Sequence, residues 1–277
     1  MQGDRDQHAK FVVEYDISIP QGAASQQAAH AGPPPSSLAA APIKVEKGED
    51  SSVLVLAFTG LAGKLTLPTF DFLSSAALLK YDRIMLRDDS RTCYLGGIPP
   101  AAQDFDSLIA LLTQQIADLA PKHVISIGTS GGSHAAVLFG HLLRADYVHA
   151  FSPYTTMAPG QGRVDDPEDS KRYADVLEQL DRLPAAVRRY LDLREVLGKW
   201  NGKTRFNIHV CADSVRDLAR ANRLQGLPGV TLHRYGCNHH RVAAWLIRRH
   251  SLLPLLKIEN QDKVADIVKG LQTAPGD

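Results

Sequence analysis

Short apolar runs alternate with helix-like stretches from residue 53 almost to the C-terminus, and this alternation constrains the fold more than any other feature. Residues 53–58 (VLVLAF) form a continuous apolar run, which is typical of a buried strand. Residues 104–120 instead repeat apolar side chains every three or four positions, as an amphipathic helix does, with Asp104 or Asp106 as the N-cap. The same patterns predict strands at 11–20, 42–48, 83–87, 123–127, 147–151, 206–210 and 230–235, and helices at 67–81, 131–143, 214–225, 240–250 and 259–272. Such alternation predicts an α/β protein with a mostly parallel sheet that carries helices on both faces.

The length and composition fit one domain with two additions. The chain has 277 residues, of which 44% are hydrophobic and 22% charged, so it can bury a sizeable core. Residues 21–42 are rich in Ala, Gln, Pro and Ser, which predicts a flexible loop. Residues 152–204 start with a Pro/Gly loop and continue with helical spacing, which predicts a small helical insertion. We therefore expect a single domain over residues 1–277.

Charge and cysteine content exclude several classes of function. The net charge is +1, so no basic surplus favours nucleic acid or an anionic membrane as the main partner. No run reaches the roughly 18 apolar residues of a membrane helix, and the polar N-terminus lacks the pattern of a signal peptide. Cys93, Cys211 and Cys237 are few and odd in number, which does not suggest a disulfide framework. We expect a cytoplasmic protein in a reducing compartment.

The stretch Gly128-Thr129-Ser130-Gly131-Gly132 lies between a predicted strand and a predicted helix. It fits the GxSxG pattern of a nucleophile elbow, in which a tight turn lifts the serine hydroxyl clear of the sheet. Glycines on either side lack a Cβ and let the turn pack closely against its neighbours. The backbone N–H of Gly131 points to the space where negative charge develops. The pattern predicts Ser130 as a nucleophile and Gly131 as an oxyanion donor.

A serine hydroxyl needs a base, and the second half of the chain offers a histidine and a carboxylate. Asp213 comes just after the strand at 206–210, with Asp217 as the alternative acid. His240 and His239 follow the strand at 230–235 and a glycine turn, and only one of these two rings can face the serine. As structural roles, Asp213 would cap the next helix and Asp217 would supply charge to its first turn.

These segments together resemble the α/β-hydrolase superfamily and its bacterial serine hydrolases. The GTSGG elbow follows what we count as the fifth strand, and GCNHHRVAAWL resembles the histidine loop of the family. The stretch from Asp213 to Ala221 and Leu224 resembles the acid loop running into its next helix. The resemblance covers the chain from about residue 50 onward. It implies the α/β-hydrolase fold, with the insertion at 152–204 as a helical cap.

The resemblance also ranks the alternatives. Asp213 stands eight residues before Ala221, a spacing that resembles the family pattern and favours Asp213 over Asp217. His240 stands six residues before Leu246, as in the family pattern, which favours it over His239. The expected triad is Ser130, Asp213 and His240.

Further residues are expected around the site. The family takes a second oxyanion donor from the loop after the third strand, which implies Leu61, with Gly60 as the alternative. Arg87 and Asp88 follow the fourth strand, whose C-terminal end faces the site in open α/β sheets, so they and Thr129 are candidates for substrate binding. The alternative for the charged pair is a solvated loop or an ion pair that holds it.

Two features predict no additional chemistry. His134 lies one helical turn after Ser130, and since the base comes from elsewhere in this family, we expect a packed helix residue. Cys237 stands close to His239 and His240, but no second cluster at zinc spacing accompanies them. We expect neither a metal nor a cofactor.

These residues predict a serine hydrolase that cleaves a carboxylic ester or thioester through an acyl-serine intermediate. The substrate would be a small-molecule or carrier-bound acyl compound. One alternative keeps the triad but serves an acyltransferase or thioesterase of a biosynthetic pathway. Another is a non-catalytic binding protein on a hydrolase fold, because fold alone does not fix function.

Overall fold

A computed structural model describes residues 41–60, 80–158 and 174–273. The predicted strand at 11–20, nearly all of the predicted loop at 21–42 and most of the predicted helix at 67–81 lie outside the described residues. Part of the insertion at 152–204 lies outside them as well.

The described strands form one seven-stranded sheet in the order β1-β3-β2-β4-β5-β6-β7. The strands are β1 (Ile43–Glu46), β2 (Asp50–Phe58), β3 (Tyr81–Leu86), β4 (His123–Thr129), β5 (Tyr147–Phe151), β6 (Arg205–Cys211) and β7 (Val230–Tyr235). Strand β1 runs antiparallel to β3, and all other neighbours are parallel. Phe58 lies opposite Gly128, and Phe151 lies opposite Thr129. The predicted, mostly parallel sheet is confirmed, and the C-terminal ends of β2, β4 and β5 share one edge.

The helices follow the predicted positions closely. They are α1 (Phe105–Leu119), α2 (Gly131–Leu142), α3 (Ala174–Asp181), α4 (Ala185–Arg188), α5 (Leu193–Leu197), α6 (Val215–Asn222), α7 (Val242–Arg248), α8 (Leu252–Leu256) and α9 (Val264–Thr273). Short 3₁₀ turns cover Arg189–Leu191 and Ile258–Lys263. Helix α8 was not predicted, because its five residues are too few to show a helical period. None of the described helices has the length and hydropathy needed to cross a bilayer.

Strand β2 shows why its sequence is apolar at every position. Its even-numbered residues from Leu54 to Phe58 join a core with α1 and α2. Its odd-numbered residues from Val53 to Ala57 join a second core with α7, α8 and α9. Because both faces of the sheet are covered, the alternation of an exposed strand is absent. Each large side chain that is fully buried this way contributes about 1.5–3 kcal/mol to stability.

Helix α1 begins at the first of its two predicted caps. The Asp104 carboxylate accepts a hydrogen bond from the Ser107 N–H at 2.8 Å, and the Ser107 hydroxyl accepts one from the Asp104 N–H at 3.0 Å. This reciprocal pair satisfies two backbone donors that a helix start leaves unpaired. Asp104 is therefore the N-cap.

Three short helices, α3, α4 and α5, lie in the described part of the segment 152–204, and α3 and α5 pack on the sheet. Buried side chains of α3 and α5, including Leu180 and Leu193, join the core that contains α2. The N–H of Met157 donates to the carbonyl of Leu191 at 2.8 Å, which ties the start of the insertion to its middle. Since these helices follow the C-terminal end of β5, they lie next to the edge where Ser130 is found. That they form a cap stays a prediction.

Candidate active site

Ser130 occupies a sharp turn between β4 and α2. Its φ and ψ are 54° and −123°, in a region that residues with a side chain rarely adopt. Such a backbone conformation costs about 1–3 kcal/mol, and contacts with the surrounding structure offset this free energy. The Ser130 N–H donates to the Phe151 carbonyl at 2.9 Å, and its carbonyl accepts from the Ser133 N–H at 3.0 Å. Ser130 is half-buried, so the backbone has the form expected of a nucleophile elbow.

The glycines of the motif are required by close backbone contacts. A Cβ on Gly128 would collide with the carbonyl of Gly132. A Cβ on Gly132 would collide with the carbonyls of Phe58 and Thr59 at the end of β2. The two glycines therefore allow α2 to start directly against β4 and β2.

His240 pairs with a carboxylate through its Nδ1 atom. This atom lies 2.8 and 2.9 Å from the two carboxylate oxygens of Asp217. Because an ionised carboxylate only accepts hydrogen bonds, Nδ1 carries a proton, and in the neutral form of the ring Nε2 is the acceptor. Nε2 is buried and has no hydrogen-bond partner among the described residues. An imidazole held in this tautomer with a free Nε2 is suited to act as a general base.

The surroundings of Asp217 keep it ionised. Burial raises the pKa of this carboxyl, but the hydrogen bond and charge of His240 and the charge of Arg220 outweigh it, and the pKa lies below its ordinary value. Arg220 Nη1 is 3.6 Å from Asp217 Oδ1, one helical turn along α6. The Asp217 side chain is only 2% exposed. A buried carboxylate of this kind is well placed to orient and stabilise an imidazolium.

The structure brings Asp217, the alternative acid, against His240, and which carboxylate serves the reaction stays a prediction. Asp213, which the resemblance favours, is exposed and precedes α6, and its backbone N–H donates to the Cys237 carbonyl at 3.1 Å. The histidine contact belongs to Asp217, its alternative. Asp217 lies on the same face of α6 as the fully buried Ala221, four residues later, and the buried Leu224 follows the end of the helix. A carboxylate on an apolar helix face was the sequence signal that would have identified it.

The two adjacent histidines point to different surroundings. His240 contacts Asp217, and its role as the base stays a prediction. His239 instead accepts a hydrogen bond at Nδ1 from the Arg241 N–H, at 3.1 Å, and its Nδ1 is 3.8 Å from Cys211 Sγ. His239 therefore belongs to a separate cluster.

Cys211 and Cys237 form a disulfide, although the cysteine content did not suggest a disulfide framework. Cys211 is the last residue of β6 and lies opposite Tyr235 of β7, two residues before Cys237. Their Cα atoms are 4.8 Å apart, although 26 residues separate them in sequence. The pairing depends on which strands are neighbours, which cysteine counting does not reveal. The third cysteine, Cys93, is buried and free.

Tyr154 and Arg220 support the His240–Asp217 pair, and the sequence analysis did not identify either. The Arg220 guanidinium lies 4.2 Å from the centroid of the Tyr154 ring, and that ring meets the His240 ring edge to face at 6.0 Å. The position of Arg220 three residues after Asp217 was a usable signal. Tyr154 lies in a loop whose course no local pattern predicts.

His134 is a packed helix residue, as predicted. It is fully buried, and its two ring nitrogens each lie 2.9 Å from a backbone carbonyl, those of Tyr154 and Tyr190. It thereby holds the loop after β5 and the insertion against α2.

The oxyanion residues are described only in part. Gly131 is the first residue of α2, where backbone N–H groups have no partner within the helix. Gly60 is buried just after β2, which lies beside β4. Leu61 lies outside the described residues. The pair of donors therefore stays a prediction.

The candidate substrate-binding residues have partners within the chain or are buried. Arg87 binds the Asp89 carboxylate through Nε and Nη2, at 2.7 and 3.0 Å. Asp88 is buried and accepts hydrogen bonds from the Tyr94 N–H and the Thr92 hydroxyl. These contacts favour the structural alternative for Arg87 and Asp88. Thr129 is buried beside the nucleophile, and its hydroxyl has no partner in the described part of the chain.

Cys211, Cys237 and His239 are the one group in the described ranges whose atoms lie close enough together to ligate a metal. With the sulfurs joined to each other, they do not offer two thiolates. That the protein needs no metal or cofactor remains a prediction.

No family model and no curated protein matches the sequence. Solved structures do match in fold. Esterase B from Lactobacillus rhamnosis is 14% identical, with 82% of this chain and 81% of that chain covered and a TM-score of 0.56. An S-formylglutathione hydrolase from Agrobacterium tumefaciens is 12% identical, with coverages of 83% and 89% and a TM-score of 0.51. Brefeldin A esterase, a bacterial homologue of human hormone sensitive lipase, is 17% identical, with coverages of 83% and 72% and a TM-score of 0.51. The sheet, the elbow and these similarities show that the chain has the α/β-hydrolase fold.

Proposed function

We propose that this protein is a serine hydrolase that cleaves a carboxylic ester or thioester. The observation that carries the proposal is the His240–Asp217 pair, whose buried Nε2 has no partner in the described part of the chain. It occurs in the same molecule as a strained serine on a nucleophile elbow. A buried polar atom without a partner costs free energy, so such an atom is a candidate for function.

The topology supports bringing the three groups together. Ser130 follows β4, Asp217 lies just beyond β6, and His240 follows β7. These strands are parallel, so all three groups lie beyond the same edge of the sheet, where α/β proteins bind ligands. A series of contacts links the serine and histidine segments, because Ser130 bonds to the end of β5 and Tyr154, three residues later, touches His240.

In the proposed mechanism, His240 Nε2 takes the proton of the Ser130 hydroxyl while Oγ attacks the substrate carbonyl carbon. Asp217 stabilises the imidazolium that forms. The N–H of Gly131, with a donor from the loop that contains Gly60 and Leu61, stabilises the oxyanion. His240 returns the proton to the departing alcohol or thiol, leaving an acyl-serine. Water, deprotonated by His240, then releases the carboxylic acid and restores Ser130.

The similar structures are consistent with this chemistry. Two of them are named as esterases and one as an S-formylglutathione hydrolase. At the identities observed they support the fold, and the reaction proposed here depends on the residues of this chain.

A fluorophosphonate probe tests the nucleophile. We expect covalent labelling of the wild type at the peptide that contains Ser130, located by mass spectrometry, and no labelling of Ser130→Ala. A panel of p-nitrophenyl esters of different chain lengths, together with acyl thioesters, then defines the substrate. Adding alcohol or amine acceptors separates hydrolysis from acyl transfer. Labelling that persists in Ser130→Ala at the same peptide would remove Ser130 from the proposed role.

A further inference from the structure

We infer that the Cys211–Cys237 disulfide is a redox-sensitive bridge that positions the acid and the base of the site. This inference rests on the proposed function. In the oxidised protein the bridge holds the Asp217 and His240 segments together, and its reduction lowers turnover by loosening them. Cys211 and Cys237 thus act as positioning residues.

The bridge joins the two segments that carry the pair. Cys211 ends β6, and Asp217 follows six residues later in the first turn of α6. Cys237 follows β7, and His240 comes three residues after it. The bond therefore lies a few residues from both members of the pair and connects segments that are otherwise far apart in sequence.

The β6–β7 pairing ends at Cys211 and Tyr235, and two backbone hydrogen bonds join the loops beyond it. The Ala212 N–H donates to the Tyr235 carbonyl at 2.7 Å, and the Asp213 N–H donates to the Cys237 carbonyl at 3.1 Å. A backbone hydrogen bond contributes about 0.5–1.5 kcal/mol net, whereas a disulfide typically contributes about 2–4 kcal/mol. The loops after β6 and β7 can keep their fold without the bridge and still lose alignment. Misplacement of catalytic groups by about 1 Å is enough to lower a rate by about 10²-fold.

The surroundings of the bridge favour its reduction by a dithiol. Cys237 keeps 8% of its surface exposed, whereas Cys211 is fully buried. His239 Nδ1 lies 3.8 Å from Cys211 Sγ, and Arg248 Nη2 lies 3.5 Å from His239 Nε2. The positive charge of Arg248 beside this ring favours Cys211 as the departing thiolate. We therefore take Cys237, the more exposed residue of the two, as the point of attack and Cys211 as the leaving sulfur.

The exchange proceeds in two balanced steps. A thiolate of the dithiol attacks Cys237 Sγ, the Sγ–Sγ bond breaks, and its electron pair leaves on Cys211 Sγ, which takes up a proton. The second thiolate of the reductant then attacks its own sulfur in the mixed disulfide and releases the Cys237 thiolate, which is protonated. Two electrons and two protons pass to the cysteines, and the dithiol becomes a cyclic disulfide.

Metal capture by the reduced cysteines is the competing role for this cluster. Its three ligand atoms lie within 4.8 Å of one another. The Nδ1 lone pair of His239 already accepts the Arg241 N–H, and a guanidinium stands beside the ring. Because a divalent cation would meet this positive charge and lose that hydrogen bond, the geometry favours the redox role.

The test compares the oxidised and reduced full-length protein in ester hydrolysis. Reduction with dithiothreitol should lower kcat by about tenfold and change KM by less than about twofold, because alignment and not substrate binding is lost. Reoxidation with diamide should restore the activity. The Cys211→Ser/Cys237→Ser variant should have the kcat of the reduced protein, and dithiothreitol should not change it. In Cys93→Ala, dithiothreitol should lower kcat as much as in the wild type. Equal kcat in the two redox states of the wild type, or a dithiol response in the double variant, would overturn the inference.

A second measurement does not depend on turnover. A proton shared between His240 Nδ1 and Asp217 gives a far-downfield ¹H NMR signal, assigned by its loss in His240→Ala. We expect this signal in the oxidised protein and its broadening or upfield shift after reduction, with circular dichroism unchanged. If this proton signal is the same in the oxidised and reduced protein, the proposed positioning role of the disulfide is contradicted. A redox-sensitive signal in a protein whose Ser130 is never labelled by fluorophosphonate contradicts the proposed function alone.

Discussion

Two histidine clusters in this protein have opposite characters. In one, His240 pairs with Asp217 and keeps a buried Nε2 without a partner in the described residues. In the other, His149 and His209 lie side by side on β5 and β6 with every ring nitrogen paired. Other buried atoms, such as His141 Nδ1, also lack a partner in the described residues, so the feature that sets His240 apart is the Asp217 carboxylate on its other ring nitrogen.

In the second cluster, each group donates a hydrogen bond to the next, from the Tyr235 hydroxyl through the two rings to Gln261. The Tyr235 hydroxyl is 2.7 Å from His209 Nδ1, and His209 Nε2 is 3.1 Å from His149 Nδ1. His149 Nε2 lies 2.8 Å from Gln261 Oε1, and the amide nitrogen of Gln261 donates to the Leu255 carbonyl. Because the amide oxygen only accepts, each ring is fixed as one neutral tautomer. Burial lowers the pKa of His149 to about 4. This histidine therefore binds a proton less readily in the folded protein than in the unfolded chain.

The largest expected effect separates the two adjacent histidines of the site. His240→Ala should lower kcat by about 10³–10⁶-fold, because the base that accepts the serine proton is lost. His239→Ala removes a ring of similar exposure that does not contact Asp217, and should lower kcat by less than about tenfold. Initial-rate kinetics on the best p-nitrophenyl ester measure kcat for both variants. Reversed magnitudes would transfer the role of base to His239.

A smaller effect separates the two carboxylates. Asp217→Asn keeps the shape of the side chain but removes the charge that holds the Nδ1 proton of His240, so kcat should fall by about 10²–10⁴-fold. Asp213→Asn changes an exposed side chain and should leave kcat within about threefold. Circular dichroism of both variants controls for folding. Equal losses would mean that the contact with His240 does not determine activity.

The sequence was informative where local pattern determines structure. The apolar run of β2 and the glycines around Ser130 predicted the sheet and the elbow, because burial on two faces and close backbone contacts restrict those residues directly. The sequence left Asp217 as the second choice for the carboxylate beside His240, because that contact depends on where α6 begins and which way its first turn faces. The disulfide was missed because it depends on strand order, which places Cys211 next to Cys237. Tyr154 contributes through a loop, where no periodicity restricts the chain.

The smallest expected effect concerns the stability of the paired cluster at acid pH. The pKa of His149 is about 4 in the folded protein and about 6.5 when unfolded, so between these values the unfolded state binds more protons and stability falls as pH falls. The stabilising contribution is complete above pH 6.5 and is lost toward pH 4, with a slope of at most about 1.4 kcal/mol per pH unit. His149→Gln lowers the overall stability, and it should also flatten this part of the pH dependence, whereas the exposed His250→Gln should not. Urea unfolding at several pH values measures the slope for each protein. An unchanged slope in His149→Gln would show that the pH dependence comes from other titratable groups.

Because His149 does not contact the His240–Asp217 pair, kcat of His149→Gln above pH 7 should stay within about twofold of the wild type. This result would separate the role of one histidine cluster in stability from the role of the other in catalysis.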